Sequence, residues 1–257
     1  MSMTMVEIEK QLKALRLSGM VATLESRALQ ASQCNAVLVE ALSWLLQDEM
    51  DHRSSGLRQR RFKASGLTEL KTLTEFDWSF NPKLPKREIY ELVTAKFIQN
   101  GEHALLIGAP GTGKSHIAKT IAHASIQLFQ KTVYREAHVF FEDMFEAEQT
   151  GKTKKVLKLF SEADLLIIDD LFLRKRMPSD AADYLLDIII NRYSKRKSTV
   201  ITSNRPIEDW GLLLKDNAAS SAILDRLLHH GHLLKFEGKS YRLKEAAKRL
   251  SQVKEKK

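Results

Sequence analysis

The chain has 257 residues, 43% of them hydrophobic, which allows one large domain or a mid-sized one with a smaller appendage around a real core. No apolar run approaches the ~18 residues of a membrane span, and the opening MSMTMVEIEK lacks the charged-then-apolar layout of a secretion signal, so a cytoplasmic protein with no membrane partner is expected. The charge is +9 and sits at one end: residues 226–257 carry 10 basic and 3 acidic side chains, against 10 and 9 in 1–75 and 21 and 20 in 76–225, which marks either a solvated tail or an attraction for a polyanion such as DNA.

Residues 6–63 contain no proline and repeat apolar residues at helical spacing. Ile8, Leu12 and Leu15 make one stripe and Met20, Leu24 and Ala28 a second. Leu38, Leu42, Leu45 and Leu46 make a third, before a polar turn expected at Glu49–His52. The lone Cys34 in this region can form no internal disulfide. A basic cluster follows, Arg58, Arg60, Arg61 and Lys63, suited to a solvated helix end or to a DNA backbone. From Gly66 to Pro85 the helical pattern dissolves into a linker, where Phe76, Trp78 and Phe80 either meet a nucleotide base or seal a join. A helix is indicated over 86–99 by Ile89, Leu92, Val93 and Phe97, with Asn100 and Gly101 ending it.

The stretch LLIGAPGTGKS (Leu105–Ser115) fits the G-x-x-x-x-G-K-[ST] phosphate-binding pattern at every fixed position. It has an apolar strand before it and an apolar-periodic helix after it. Glycines let backbone N–H groups turn inward around phosphate oxygens, and the following helix points its positive end at the same anion. The expected nucleotide-binding run is Gly108, Ala109, Pro110, Gly111, Thr112, Gly113, Lys114, Ser115 and His116. Lys114 is placed to reach the terminal phosphates of ATP and Ser115 to ligate Mg²⁺.

Further on, Thr132–Tyr134 reads as a short strand, 139–147 as a helix, and Lys152, Lys154, Lys155 and Lys158 as a surface helix suited to phosphate contact. DLLIIDDLF then gives a buried parallel strand ending in two acids, the Walker B pattern: Asp169 for the Mg²⁺ shell, Asp170 for the attacking water. After a helix over 180–193, the strand 199–202 runs into SNRP, placing Asn204 at a strand tip where it can bond the attacking water or the γ-phosphate. AILDRLLHHGH reads as a last core helix. Its three histidines lack the Cys or acidic ligands of a metal site. A strand over 233–236 and a lysine-rich helix complete the chain.

The ordered set GAPGTGKS, LLIIDD, TSNRP, ILDRLLHHGH and SYRL resembles the IstB family, the ATP-binding helpers encoded with insertion-sequence transposases, and more distantly the DnaC helicase loaders. The likeness spans almost the whole chain. It implies an α/β P-loop AAA+ domain with a parallel sheet over 76–257. A small all-α domain over 1–75 would precede it and serve assembly or DNA and partner contact. It further implies ATP hydrolysed between subunits of a homo-oligomer, double-stranded DNA held mostly by its backbone, and recruitment of a transposase. By the same resemblance Asn204 is the first sensor, Arg226 an arginine finger reaching a neighbour's ATP, and Arg242 a second sensor. One departure stands out: Asp170 occupies the place of the usual glutamate, one methylene longer. A ~1 Å retraction of that base can cost ~100-fold in rate, so slow hydrolysis is expected, and the tract Leu171–Arg176 lacks a glycine often found there. A helicase loader, a P-loop small-molecule kinase and a non-hydrolysing ATP-gated scaffold are the competing readings.

Overall fold

The computed structural model describes residues 4–173 and 177–254, and the chain divides into two compact units between Arg60 and Arg61. In the first unit, α1 (Met5–Ala14) starts on a reciprocal cap: Glu7 N–H donates to Thr4 Oγ1, and Glu7 Oε2 accepts from Thr4 N–H at 2.8 Å. Helices α2 (Ser18–Cys34) and α3 (Leu38–Ser65) cross at Gly19, where an added Cβ would lie 2.7 Å from the Glu49 Cα. The polar turn expected at Glu49–His52 does not form, and α3 runs straight through it. The reason is lateral. Buried Glu49 accepts from Gly19 and Met20 N–H in the first turn of α2, and Asp48 pairs with Arg27 at 2.7 Å. Anions at a helix N-terminus are favourable, so these acids tie two helices together rather than ending one. Met20 and Leu24 are buried, whereas Leu38, Leu42 and Leu46 are 83%, 50% and 48% exposed, so the third stripe read from the sequence is not core.

The second unit takes in the last turn of α3 and then an irregular segment from Gly66 to Pro85 that holds a short 3-10 turn, Leu73–Glu75. Then follow α4 (Lys86–Val93), α5 (Phe97–Asn100), β1 (His103–Gly108), α6 (Lys114–Gln127), β2 (Thr132–Glu136), α7 (Ala137–Gln149) and α8 (Thr153–Glu162). After these come β3 (Leu165–Leu171), α9 (Ala181–Ser194), β4 (Ser198–Ser203), α10 (Trp210–Leu214), α11 (Asn217–His229), β5 (Gly231–Phe236) and α12 (Tyr241–Lys254). The helix expected over 86–99 is broken at Ala95, which takes a φ of 57° and is fully buried. That reversal lets Ile89, Leu92, Phe97 and Ile98 all reach the core.

The five strands are all parallel, in the order β2-β3-β4-β1-β5. Side chains alternate between the sheet's faces, so β1 to β4 each feed two cores, while the edge strand β5 feeds one through Leu234 and Phe236. Ala104, Leu106, Leu165, Ile167 and Val200 pack with Ile117 and Ile121 of α6. Leu105, Leu166, Ile168 and Ile201 pack with Phe140 of α7, Ile188 of α9 and Ile223 of α11. Because β4 lies between β1 and β3, the carboxyl ends of these three strands stand side by side, and ligands in such sheets sit beyond those ends. Among the described residues no helix is long and apolar enough to cross a membrane.

At the opposite end of β1, His103 is buried and its Nδ1 accepts the Thr199 N–H at 3.2 Å. Burial, then the charges of Arg192 and His230, push its pKa down to about 4. The unfolded chain therefore takes up this proton first as pH falls. His103's contribution is complete above about pH 6.5 and is lost as pH drops toward 4, by about 3 kcal/mol in all. Denaturant melts at pH 7 and 4.5 should show the parent losing about 2 kcal/mol more than His103→Asn, which keeps an acceptor but cannot titrate. Equal losses would refute the burial argument.

Candidate nucleotide site

The turn from β1 into α6 is built for close approach of an anion. Gly111 and Gly113 take φ of 77° and 105°, and a Cβ on either would collide with Ser240 or with the Phe76 ring. The Thr112 hydroxyl donates to Ala109 O at 2.8 Å, closing the loop on itself. Lys114 is 4% exposed and donates from Nζ to Gly108 O at 2.7 Å and to Ala109 O at 2.9 Å. Burial draws its pKa down, while Asp170 and Asp169 pull it up.

Strand β3 delivers the two acids differently. Asp169 is buried at 2% exposure, with Oδ2 accepting from the Tyr134 hydroxyl at 2.6 Å and Oδ1 from the Thr202 hydroxyl. Desolvation and the charge of Asp169 raise the Tyr134 pKa, so the phenol stays a donor. Between Ile168 and Leu171 the pairing with β4 slips, and Asp170 takes a φ of 56°. The bulge re-aims its side chain into a cleft. Burial raises the Asp170 pKa, as does Asp169, and Lys114 and Arg242 oppose the shift. The tract that follows, read from the sequence as lacking a glycine, lies outside the described residues at 174–176.

Asn204 completes the row. Ser203 at the end of β4 donates to Leu171 O at 2.8 Å and accepts from Arg205 N–H at 3.1 Å, fixing the turn that carries Asn204. The Asn204 Oδ1 is buried and has no hydrogen-bond partner among the described residues, which leaves it an acceptor for a bound ligand.

Pro110–His116, Asp170, Asn204 and Arg242 line one cleft of about 400 Å³. Its walls are two strands of irregular chain. From one side Phe76 packs on Gly113 and edge-on to His116, whose Nε2 lies 2.8 Å from Thr72 O. From the other, Tyr241 N–H donates to Gly111 O at 2.9 Å. The two walls are joined by the Asn81 amide, which bonds both backbone groups of Lys239, and by Lys244 with Asp77 at 3.0 Å. Of the three aromatics left undecided by the sequence, Phe76 and Phe80 line the cleft, while Trp78 stacks on Tyr90.

The other residues singled out by sequence lie elsewhere. Gly108 and Ala109 do not line the cleft; their carbonyls accept from Lys114, and that of Ala109 from Thr112 as well. Arg226, on α11, does not line the cleft, and its guanidinium donates to Ala222 O at 2.7 Å. Of the histidines that follow it, His232 meets Glu102 at 2.8 Å and His229 meets the Tyr193 hydroxyl. Sequence reasoning missed Thr202 and Tyr134 as partners of the acids. The available signal was a hydroxyl on each of the two stretches read as strands, Thr132–Tyr134 and Thr199–Thr202.

The residues present fit a Mg²⁺-bound triphosphate. A loop with no room for Cβ atoms offers N–H groups, Lys114 offers a cation, Ser115 and the two carboxylates offer hard oxygens of the kind Mg²⁺ prefers, and Asn204 offers an unspent acceptor. With the five-stranded parallel order and the acids one strand removed from the phosphate loop, the second unit is a P-loop domain of the AAA+ type. The chain belongs to the family of IstB-like ATP binding proteins, whose pattern it matches over residues 10–249. It is 36% identical over 242 residues to the ATP-binding protein of insertion sequence IS5376 from Geobacillus stearothermophilus, covering 94% of this chain and 95% of that one. The corresponding protein of IS21 from Pseudomonas aeruginosa is 31% identical, with 95% and 91% covered. Among solved structures, the DnaC helicase loader superposes with a TM-score of 0.52 at 22% identity over 69% of this chain and 99% of that one. DnaA of Aquifex aeolicus bound to AMPPCP gives 0.53 at 22% identity over 70% and 55%; both likenesses concern the fold.

Proposed function

We propose that this protein is a cytoplasmic, Mg²⁺-dependent ATPase that assembles on double-stranded DNA and brings a transposase to its target, a step in DNA recombination. The observation that carries the reading is the convergence of Lys114, Asp170 and Asn204 on one cleft beyond the carboxyl ends of β1, β3 and β4. The insertion-sequence context of its relatives supports transposition as the process served.

In this reading the loop from Gly108 to Ser115 cradles the phosphates, with His116 closing its base against the linker. Lys114 binds the terminal phosphates, Phe76 and Phe80 flank the nucleotide, and Arg242 contacts it from the start of α12. The Ser115 hydroxyl and Asp169 would hold Mg²⁺, which would supply charge neutralisation at the phosphates. Asp170 takes the proton of the attacking water, and Asn204 holds that water in line. Arg226 serves the cleft of a neighbouring copy, so occupied sites bridge subunits and hydrolysis releases them. The helical region read over 1–75 serves assembly or partner contact.

The nucleotide reading is tested by oligomer size and DNA affinity measured together with ATP, ADP and no nucleotide. Mg-ATP should give a species several chains in size and DNA affinity at least ~10-fold above that with ADP. A chain that stays single with saturating Mg-ATP and DNA sinks the proposal. For the DNA contact, Lys152, Lys154, Lys155 and Lys158 are all exposed, on and just before α8. Changing all four to Ala should weaken binding to unrelated duplexes equally and lower the slope of log affinity against log salt by about 3 to 4. An unchanged slope would place the DNA on another face.

A further inference from the structure

We propose that Thr202 and Tyr134 are positioning residues for the acidic pair: together they fix the Asp169 carboxylate, and Thr202 also holds the bulged backbone that aims Asp170 into the cleft. The inference rests on the ATPase reading above and assigns work to two side chains outside the Walker and sensor motifs.

Thr202 lies in the middle of the sheet, fully buried on β4 between β3 and β1. A hydroxyl has one proton to give and lone pairs to receive with, and here both capacities are used across one strand boundary. Its proton goes to Asp169 Oδ1, and its oxygen accepts the Asp170 N–H at 2.8 Å. Tyr134, on β2 at the other side of β3, gives its proton to Asp169 Oδ2. Each oxygen of Asp169 is therefore gripped from a different neighbouring strand, and rotation of the carboxylate breaks both bonds at once.

The second grip concerns the backbone. A non-glycine residue at φ 56° is held against an unfavourable local preference of about 1 kcal/mol or more, and persists where its surroundings over-determine it. At Asp170 the ladder to β4 is interrupted, so its N–H has no strand partner. The Thr202 hydroxyl takes that place. One side chain thus couples the orientation of the metal-shell acid to that of the catalytic acid, two positions before Asn204 in the turn that follows the same strand. Partners that orient a metal-site carboxylate are commonly worth 10- to 100-fold in metal affinity or activity.

The test uses the full chain as Thr202→Val, Thr202→Ser and Tyr134→Phe. Affinity for a fluorescent ATP analogue is measured in EDTA and across a Mg²⁺ titration, followed by kcat and KM. Thr202→Val keeps the shape and loses both bonds. It should require about 10-fold more Mg²⁺ to tighten nucleotide binding, keep the parent's affinity in EDTA, and lose at least ~10-fold in kcat with KM within ~3-fold. Thr202→Ser retains the hydroxyl and should recover to within ~3-fold of the parent, while Tyr134→Phe should move in the same direction as valine by less. A merely space-filling role for Thr202 predicts that serine is the worse variant. Parental Mg²⁺ dependence and kcat in Thr202→Val, or a serine variant as impaired as valine, overturns the proposal. A parent that binds nucleotide without hydrolysing it ends the ATPase reading alone, because the Mg²⁺ titration requires no turnover.

Discussion

Lys114→Ala is expected to lower ATP affinity by about two orders of magnitude while leaving the chain folded. The ammonium is nearly inaccessible, held by two carbonyls of the loop it serves, and among the described residues the opposite charges that act on it are Asp170 and Asp169. Removing it takes from the phosphates a charge-assisted contact in a partly desolvated cleft, worth about 3 kcal/mol, or ~100-fold. Stability should change little: Ala109 is exposed and Gly108 half-buried, so water can replace the lost donor at both carbonyls, and a desolvated charge is removed. Lys114→Arg separates charge from shape, since the slot admits an ammonium on an unbranched stem and not a planar fork. Titration calorimetry with Mg-ATP should find both variants defective, with melting temperatures near the parent's. An alanine variant binding within threefold of the parent would remove Lys114 from the nucleotide site.

The parts of this site that were legible in the sequence are those whose chemistry is local. A phosphate loop needs glycines, lysine and a hydroxyl at fixed spacing on one continuous turn, so residues 108–115 announce themselves without a fold. The strand Leu165–Ile168 ending in acids is legible for the same reason: four apolar residues in a row require burial on both faces, and two carboxylates immediately after them have to lie at its end. The alternation of Leu165 and Ile167 against Leu166 and Ile168 between two cores then follows from the pleat.

What stayed hidden depends on neighbours that the sequence separates widely. Thr202 meets Asp169 across 33 positions and Tyr134 meets it across 35, and only the strand order β2-β3-β4 brings both hydroxyls to one carboxylate. The bulge at Asp170 carries no glycine to mark it. In the first unit the polar run Glu49–His52 imitates a turn, because a sequence shows that residues are polar but not that their partners lie on another helix. Gly19 and Arg27, 30 and 21 positions away from Glu49 and Asp48, satisfy them there. The extended segment from Gly66 to Pro85 is similar. Its prolines predict irregular chain correctly, while its use as a wall of the cleft depends on Asn81 finding Lys239 across 158 positions.

Arg226→Ala should bind ATP as the parent does and hydrolyse it about 10³-fold more slowly, and the loss should be repairable by another copy. Arg226 is half-buried on α11, between Ile223 and Leu227, which anchor the helix in the core shared with α9 and α10. Its guanidinium bonds one turn back to Ala222 and is absent from the cleft of its own chain. An arginine so placed can act on ATP only if a second copy presents its cleft to α11, a contact between two different surface patches, as in a head-to-tail assembly. Mixing inactive Arg226→Ala with inactive Lys114→Ala distinguishes the cases. In a head-to-tail assembly some sites combine the intact phosphate loop of the first variant with the intact arginine of the second, and random mixing should restore roughly a quarter of parental turnover. If Arg226 acted within its own chain, no site in the mixture would be complete, and activity would stay at the sum of the two inactive proteins. Phosphate release from the equimolar mixture, compared with each variant alone at the same total concentration, decides whether the catalytic unit is one chain or the junction of two.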